Sequence, residues 1–120
     1  MTFPTINYKY NGIEEAKSLT DVVDEKFGTL GKFVGDEADA VCEVEFEKLS
    51  AHQHGRMYRV EANLSIDGHL YRAEATENSF AEAIDTVRDE LDSELSRAKD
   101  KQVTRDKSAG REVKEQLQNG

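Results

Sequence analysis

Five basic side chains fall close together late in the chain: Arg97, Lys99, Lys101, Arg105 and Lys107. Guanidinium forks match phosphate oxygens in pairs, and each cation that neutralises a phosphate releases a counterion, so such a cluster suits a polyanionic ligand. A helix C-terminus, where cations complement the backbone dipole, accounts for the same residues without any ligand. Lys26, Lys32 and Arg88 add basic positions earlier in the chain. Read alone, these are ordinary helix-surface cations, with the stem on the protein and the charge in water.

Other reactive types are present without the company their chemistry needs. His52-Gln53-His54, with His69, suggests metal ligation, but zinc requires further Cys, His or carboxylate ligands, and the sole cysteine, Cys42, lies on a strand facing the core. The segment reads as a polar loop, and Cys42 as a packing residue rather than a nucleophile. Tyr8, Tyr10, Tyr58 and Tyr71 have rings that stack on bases elsewhere, yet their inward phase assigns them to the core or the sheet rim. Arg59 and Arg72 fall on the opposite sheet face, where cross-strand pairing with Glu61 or Glu74 is expected. The acidic run Asp36, Glu37, Asp39, Glu43, Glu45 and Glu47 reads as a solvated face that keeps a strand edge from pairing with other chains, the alternative being a surface for basic proteins. No glycine-rich phosphate loop follows a strand, and no Ser-His-Asp set is brought together by the strand phases. The sequence points to no catalytic site, no metal, no cofactor and no small-molecule substrate.

A chain of 120 residues suits one domain with one core. Apolar residues make up 37% and charged residues 34%, and no run reaches the roughly 20 apolar residues of a membrane helix. The start, MTFPTINYKY, has no basic region followed by an apolar stretch. One cysteine allows no internal disulfide. Together these features favour the cytoplasm. The net charge of −9 is unevenly spread. Residues 96–120 hold seven basic and four acidic side chains, a net of +3, which leaves −12 on the first 95 residues. An acidic body with a basic end calls for an explanation.

The elements that would carry these groups follow from periodicity. Phe3–Tyr10 alternates as a strand, with Pro4 limiting its start, and Asn11-Gly12 breaks it. From Ile13 to about Phe33, Ala16, Leu19, Val23, Phe27 and Leu30 recur at helical steps, with Glu14 and Glu15 in the first turn. Gly28 and Gly31 weaken the end of that helix by about 1 kcal/mol each. Residues 40–49 alternate again, with Ala40, Cys42, Val44 and Phe46 inward. After the loop Ser50–Gly55, Tyr58–Ile66 and His69–Thr76 form two strands joined by Asp67-Gly68, a hairpin signal. Ser79 and Glu82 fit a capping box, and Phe80, Ile84, Val87, Leu91, Leu95 and Ala98 form an apolar stripe for a helix ending near Lys101. The expected fold is α+β: β-α-β-β-β-α, a four-stranded mixed sheet with a parallel first pair, an antiparallel meander, and two helices packed on one face. Residues 1–101 would form the domain, and the polar segment 102–120 a flexible tail.

The segment YRVEANLSIDGHLYRAEATENSFAEAID, together with Glu25-Lys26-Phe27, Leu30, Lys32-Phe33, and Leu91, Leu95, Arg97, Lys99 and Lys101, resembles the family of ribosome hibernation promoting factors and protein Y, over about residues 1–101. The resemblance implies a double-stranded-RNA-binding-like shape and a stress-time translation inhibitor. Its partner would be the small ribosomal subunit, through rRNA and basic ribosomal proteins, with no membrane involved. It implies that the domain occupies the decoding channel, blocking mRNA and tRNA, with Lys26, Lys32, Arg88, Arg97, Lys99 and Lys101 on rRNA phosphates. The tail is shorter than the dimerisation domain of the family's long forms. The second helix departs from the family's basic face, with Glu90, Ser93 and Ser96 where bases are common. That departure supports a second reading, a protein-binding module of the same fold without strong rRNA binding.

Overall fold

The structure, a computed structural model, describes residues 2–49 and 57–119, with side chains through Lys101. Strand β1 spans Ile6–Asn11, helix α1 Lys17–Gly28, strand β2 Ala40–Lys48, β3 Tyr58–Ile66, β4 His69–Glu77, and helix α2 Phe80–Asn119. A 3₁₀ segment, Thr29–Phe33, follows α1 directly. The sheet order is β1-β2-β3-β4. The β1–β2 pair is parallel, with Ile6 opposite Cys42 and Tyr10 opposite Phe46; β2–β3 and β3–β4 are antiparallel. The β-α-β-β-β-α order and the mixed sheet are those expected from the periodicity.

Period-2 alternation puts one set of strand residues under the helices. Cys42, Val44, Phe46, Val60, Ala62 and Leu64 are all fully buried. Val23 and Phe27 of α1 and Ile84, Val87 and Leu91 of α2 close over them, so both helices cover the same face. Tyr8 and Tyr10 stack on Phe46, as their inward phase requires. Burial, reinforced by the Asp24 carboxylate that its hydroxyl donates to, pushes the Tyr8 phenol well above its usual range.

Three local expectations change. Helix α1 begins at Lys17, not near Ile13, and Glu14 and Glu15 lie before it. Gly12 takes a left-handed φ of 77°, and Ala16 is still extended as the N-cap, so the residues between carry the chain off β1 toward the helix layer. The α-helix stops at Gly28 and tightens into the 3₁₀ segment containing Gly31, where the glycines weaken α-helical propensity. Helix α2 continues to Asn119, past the Lys101 end that the apolar stripe suggested. Residues 102–119 contain no proline, which allows the backbone ladder to continue. Whether 102–120 acts as a flexible tail concerns residues outside the described side chains.

The two turns at the ends of β3–β4–α2 match their sequence signals. Asp67 and Gly68 have φ of 50° and 83°, both left-handed, as a tight hairpin connection demands. Open space surrounds the position where a Cβ on Gly68 would sit, so the cost of a side chain there is conformational alone. Gly68→Ala is expected to lower stability by about 1 kcal/mol, read as a shift in the urea midpoint without a change in slope. At the start of α2 the Glu82 amide donates to Ser79 Oγ at 3.2 Å. Among the hydrogen bonds of the described residues, the Ser79 amide donates none to the Glu82 carboxylate, so half of the capping box forms.

Candidate nucleic-acid interface

The β3–β4 hairpin, the 3₁₀ segment and α2 meet at one end of the domain. Hairpin residue Ile66 and β4 residue Tyr71 face Leu95 and Ala98 of α2, and Lys32, Phe33 and Lys99 complete a shallow concavity. Ile66, Tyr71 and Ala98 also border a second concavity, which Arg97, Lys101 and His69 share with the carboxylates of Asp67 and Glu94. Four of the six basic residues singled out from the sequence, Lys32, Arg97, Lys99 and Lys101, are thereby brought to adjoining hollows from two elements far apart in the chain. Lys32 Nζ stands 5.2 Å from the centre of the Phe33 ring, a cation–π contact that leaves its charge exposed. Arg97 donates to Glu94 at 2.6 Å. Among the described residues, no ion pair engages Lys32, Lys99 or Lys101.

The other two are held elsewhere. Lys26, near the end of α1, donates to Asp85 of α2. Arg88 donates to Thr29 Oγ1 at 2.8 Å and 3.1 Å and pairs with Asp89 at 3.1 Å and Asp92 at 3.3 Å. Both bridge the helix layer, with part of their charge committed to carboxylates. Sequence reasoning did not anticipate Phe33, Ile66, His69 and Tyr71 around the basic residues. The hairpin signal held a clue, because residues two apart on β4 share a face; the His69 and Tyr71 rings lie 4.7 Å apart, tilted by 47°.

The sheet face away from the helices is a dense charge array. Arg59, with only 18% of its side chain exposed, pairs with Glu45 at 3.4 Å, Glu47 at 3.5 Å, and with Glu61 and Glu74. Arg72 shares the same two carboxylates, reaching Glu61 at 3.1 Å and Glu74 at 4.0 Å. The cross-strand pairing expected from sequence is present: Arg59 reaches Glu74 and Arg72 reaches Glu61 diagonally across β3–β4, while the Arg59–Glu61 and Arg72–Glu74 contacts run along one strand. The edge-protection reading of the acidic run does not hold for Glu43, Glu45 and Glu47: β2 is an interior strand, between β1 and β3. Glu45 and Glu47 serve Arg59 instead, and Glu43 faces Lys9 at 3.9 Å.

This array has a pH signature. Hydrogen bonding from Arg59, assisted by Asn63 and opposed by burial, holds the Glu61 carboxyl below the usual carboxylate range, and the Glu74 and Glu61 hydrogen bonds push the Arg59 guanidinium up. A depressed carboxylate contributes stability that is complete above its unfolded value, about 4.3, and is lost as pH falls through the lower folded value. Glu61→Gln should therefore be destabilised relative to the parent at pH 7, and the gap should narrow as pH drops below about 4. Denaturant titrations at neutral pH and near pH 3 would test this; a gap independent of pH would refute it.

Cys42 is the sole thiol, and it is buried. Burial, with Glu43 nearby, pushes the Cys42 thiol up to about 12, so it stays protonated and packed. Among the described residues, no group of three or more His, Cys, Asp or Glu side chains could hold a metal ion. His52 and His54 lie outside the described residues. Among the described residues no helix is long and apolar enough to cross a membrane.

With this geometry in view, comparison with known proteins is informative. The profile of the family described as sigma 54 modulation protein / S30EA ribosomal protein matches residues 6–103. The N-terminal domain of Thermus thermophilus Protein Y superposes with a TM-score of 0.64 at 21% identity, covering 78% of this chain and 98% of that one. A ribosomal subunit interface protein from Coxiella burnetii gives a TM-score of 0.62 at 18% identity, covering 78% and 96%. At these identities the two structures establish the shared fold. No curated protein matches the chain significantly.

Proposed function

This chain belongs to the sigma 54 modulation protein / S30EA ribosomal protein family, and from that premise we propose that it is a cytoplasmic, ribosome-associated hibernation factor that binds the small subunit and acts by occupancy rather than catalysis. Residues 1–101 are the ribosome-binding domain, with 102–120 as a polar extension. The domain sits in the decoding channel and its bulk excludes mRNA and tRNA. One observation carries the reading: an acidic body gathers Lys32, Arg97, Lys99 and Lys101 around adjoining hollows at one end. Phosphate contact at that end lets the rest of the surface stay acidic, which also limits indiscriminate binding to nucleic acid. Lys26 and Arg88 belong to the same contact set, with smaller contributions because Asp85, Asp89 and Asp92 already share their charge.

Co-sedimentation of the purified protein with small subunits over a salt series tests this. Four phosphate contacts predict a log–log slope of about −3, with tRNA competing for the bound protein. Absence of binding even at low salt would turn the search to a protein partner for the same fold.

A further inference from the structure

The four tyrosines have different surroundings. Tyr8 is tied by its hydroxyl to Asp24 and to the Thr20 carbonyl. The Tyr10 ring stacks on Phe46, and the Tyr58 ring meets Phe80 edge-on. Tyr71 is half-buried; its ring neighbour is His69, itself exposed, and it borders both basic concavities. Among the hydrogen bonds of the described residues, none takes up the Tyr71 hydroxyl. Its ring packs against the core, and it lines both hollows: Lys32 and Lys99 border one, Arg97 and Lys101 the adjoining one.

We propose that Tyr71, with His69 beside it, is a stacking platform for an unpaired base of single-stranded RNA, and that the lysines and arginine of the two adjoining hollows hold the phosphates next to that base. This rests on the reading of the hairpin end as an rRNA contact and narrows it to a nucleotide class. Every base has a π-face, so stacking on an aromatic ring recognises an unpaired nucleotide whatever its identity, whereas a duplex keeps its bases away from such a ring. Cations in two adjoining hollows that both border Tyr71 suit a chain whose successive phosphates lie in one hollow and then the next. Glu94, engaged by Arg97, and Asp67, whose carboxylate accepts from the Asp39 amide, lie in the second hollow and limit how closely phosphate approaches there.

The test uses the full chain and a fluorescein-labelled single-stranded octa-uridine RNA, with a blunt G·C-rich RNA duplex that stays paired at the assay temperature as comparison. Tyr71→Leu should weaken single-strand binding about 10-fold while leaving the salt slope unchanged, because stacking releases no counterions. Tyr71→Phe should bind as the parent does. Lys99→Ala should shrink the slope by about 0.7. If Tyr71→Leu binds within about twofold of the parent, or the duplex binds as tightly as the single strand, the proposal is overturned. Should Tyr71→Leu fail to fold, photo-crosslinking of the unaltered protein to an octamer carrying 5-iodouridine decides: adducts on the peptide holding His69 and Tyr71 support it, and adducts only elsewhere overturn it. Sedimentation with small subunits separates the two readings. A parent that ignores subunits but binds the oligonucleotide through Tyr71 overturns the ribosomal reading alone. A parent that binds subunits, with Tyr71→Leu equal to it in both assays, overturns the stacking platform alone.

Discussion

Reversing Arg97, Lys99 and Lys101 together to glutamate is expected to weaken binding to the small subunit by at least about 100-fold at ~0.1 M salt, and to move the log–log salt slope from about −3 toward zero. Each lost phosphate contact contributes roughly 1 kcal/mol at an exposed site, and three such losses reach about 100-fold before repulsion by the new carboxylates is added. The change should leave the fold intact. All three side chains are exposed, and the stripe that docks α2, Leu91 and Leu95 with Ala98 beside them, is untouched. The structural loss is confined to the Arg97–Glu94 pair, worth a few tenths of a kcal/mol. A far-ultraviolet spectrum and melting curve like the parent's are therefore part of the expectation. Lys26→Ala should cost only a few-fold in affinity, since the pair with Asp85 already occupies that charge. Unchanged affinity in the triple variant would show that the phosphate contacts lie elsewhere.

How much of this could be read from sequence depends on the range of the interaction concerned. Strand phase is local, and the inward set Cys42, Val44 and Phe46, with Val60, Ala62 and Leu64, is buried as alternation requires. The Asp67-Gly68 turn and the Ser79 cap are likewise signalled within four residues. The start of α1 was not legible, because Ile13 and Ala16 continue a helical spacing while the chain is still crossing from the sheet; Ile13 packs on the core without being helical. Position in the sheet was legible, since the expected parallel first pair and meander already put β2 between β1 and β3, but the edge reading of the acidic run overlooked it. That β2 is interior follows from the parallel return of β1, and it changes Glu45 and Glu47 from edge guards into partners of Arg59. The basic residues were found by type and by the family resemblance, but their fates diverge through contacts 59 residues apart: Lys26 with Asp85, and Arg88 with Thr29. The approach of the 3₁₀ segment to α2, which sets Lys32 beside Lys99, is of the same long-range kind.

Phe46→Ala should produce the largest loss of stability of any single change considered. The ring is fully buried and stands at the centre of an aromatic cluster. Tyr8 and Tyr10 of β1 stack on it at 5.9 Å and 5.6 Å, and Phe80 at the start of α2 meets it edge-on at 5.7 Å. Phe80 in turn meets Tyr58 of β3 at 4.9 Å. Truncation removes the apolar surface, leaves a cavity and breaks three ring contacts between different elements, a cost of about 3–5 kcal/mol. A domain with about 5–15 kcal/mol of total stability would remain folded at 25 °C only narrowly, with Tm lower by at least about 10 °C. Phe46→Leu, which keeps most of the volume, should cost less than about 1.5 kcal/mol beyond the lost ring contacts. Phe46 pairs with Val60 and Tyr10, several residues along the sheet from the Ile66–His69 pair where the basic hollows lie. Subunit affinity measured on the folded fraction of Phe46→Ala should accordingly match the parent, the reverse of the triple charge variant, in which stability stays and affinity falls. If Phe46→Ala lost affinity while still folded, the two ends of the sheet would be coupled, and the basic end could no longer be treated as an independent contact surface.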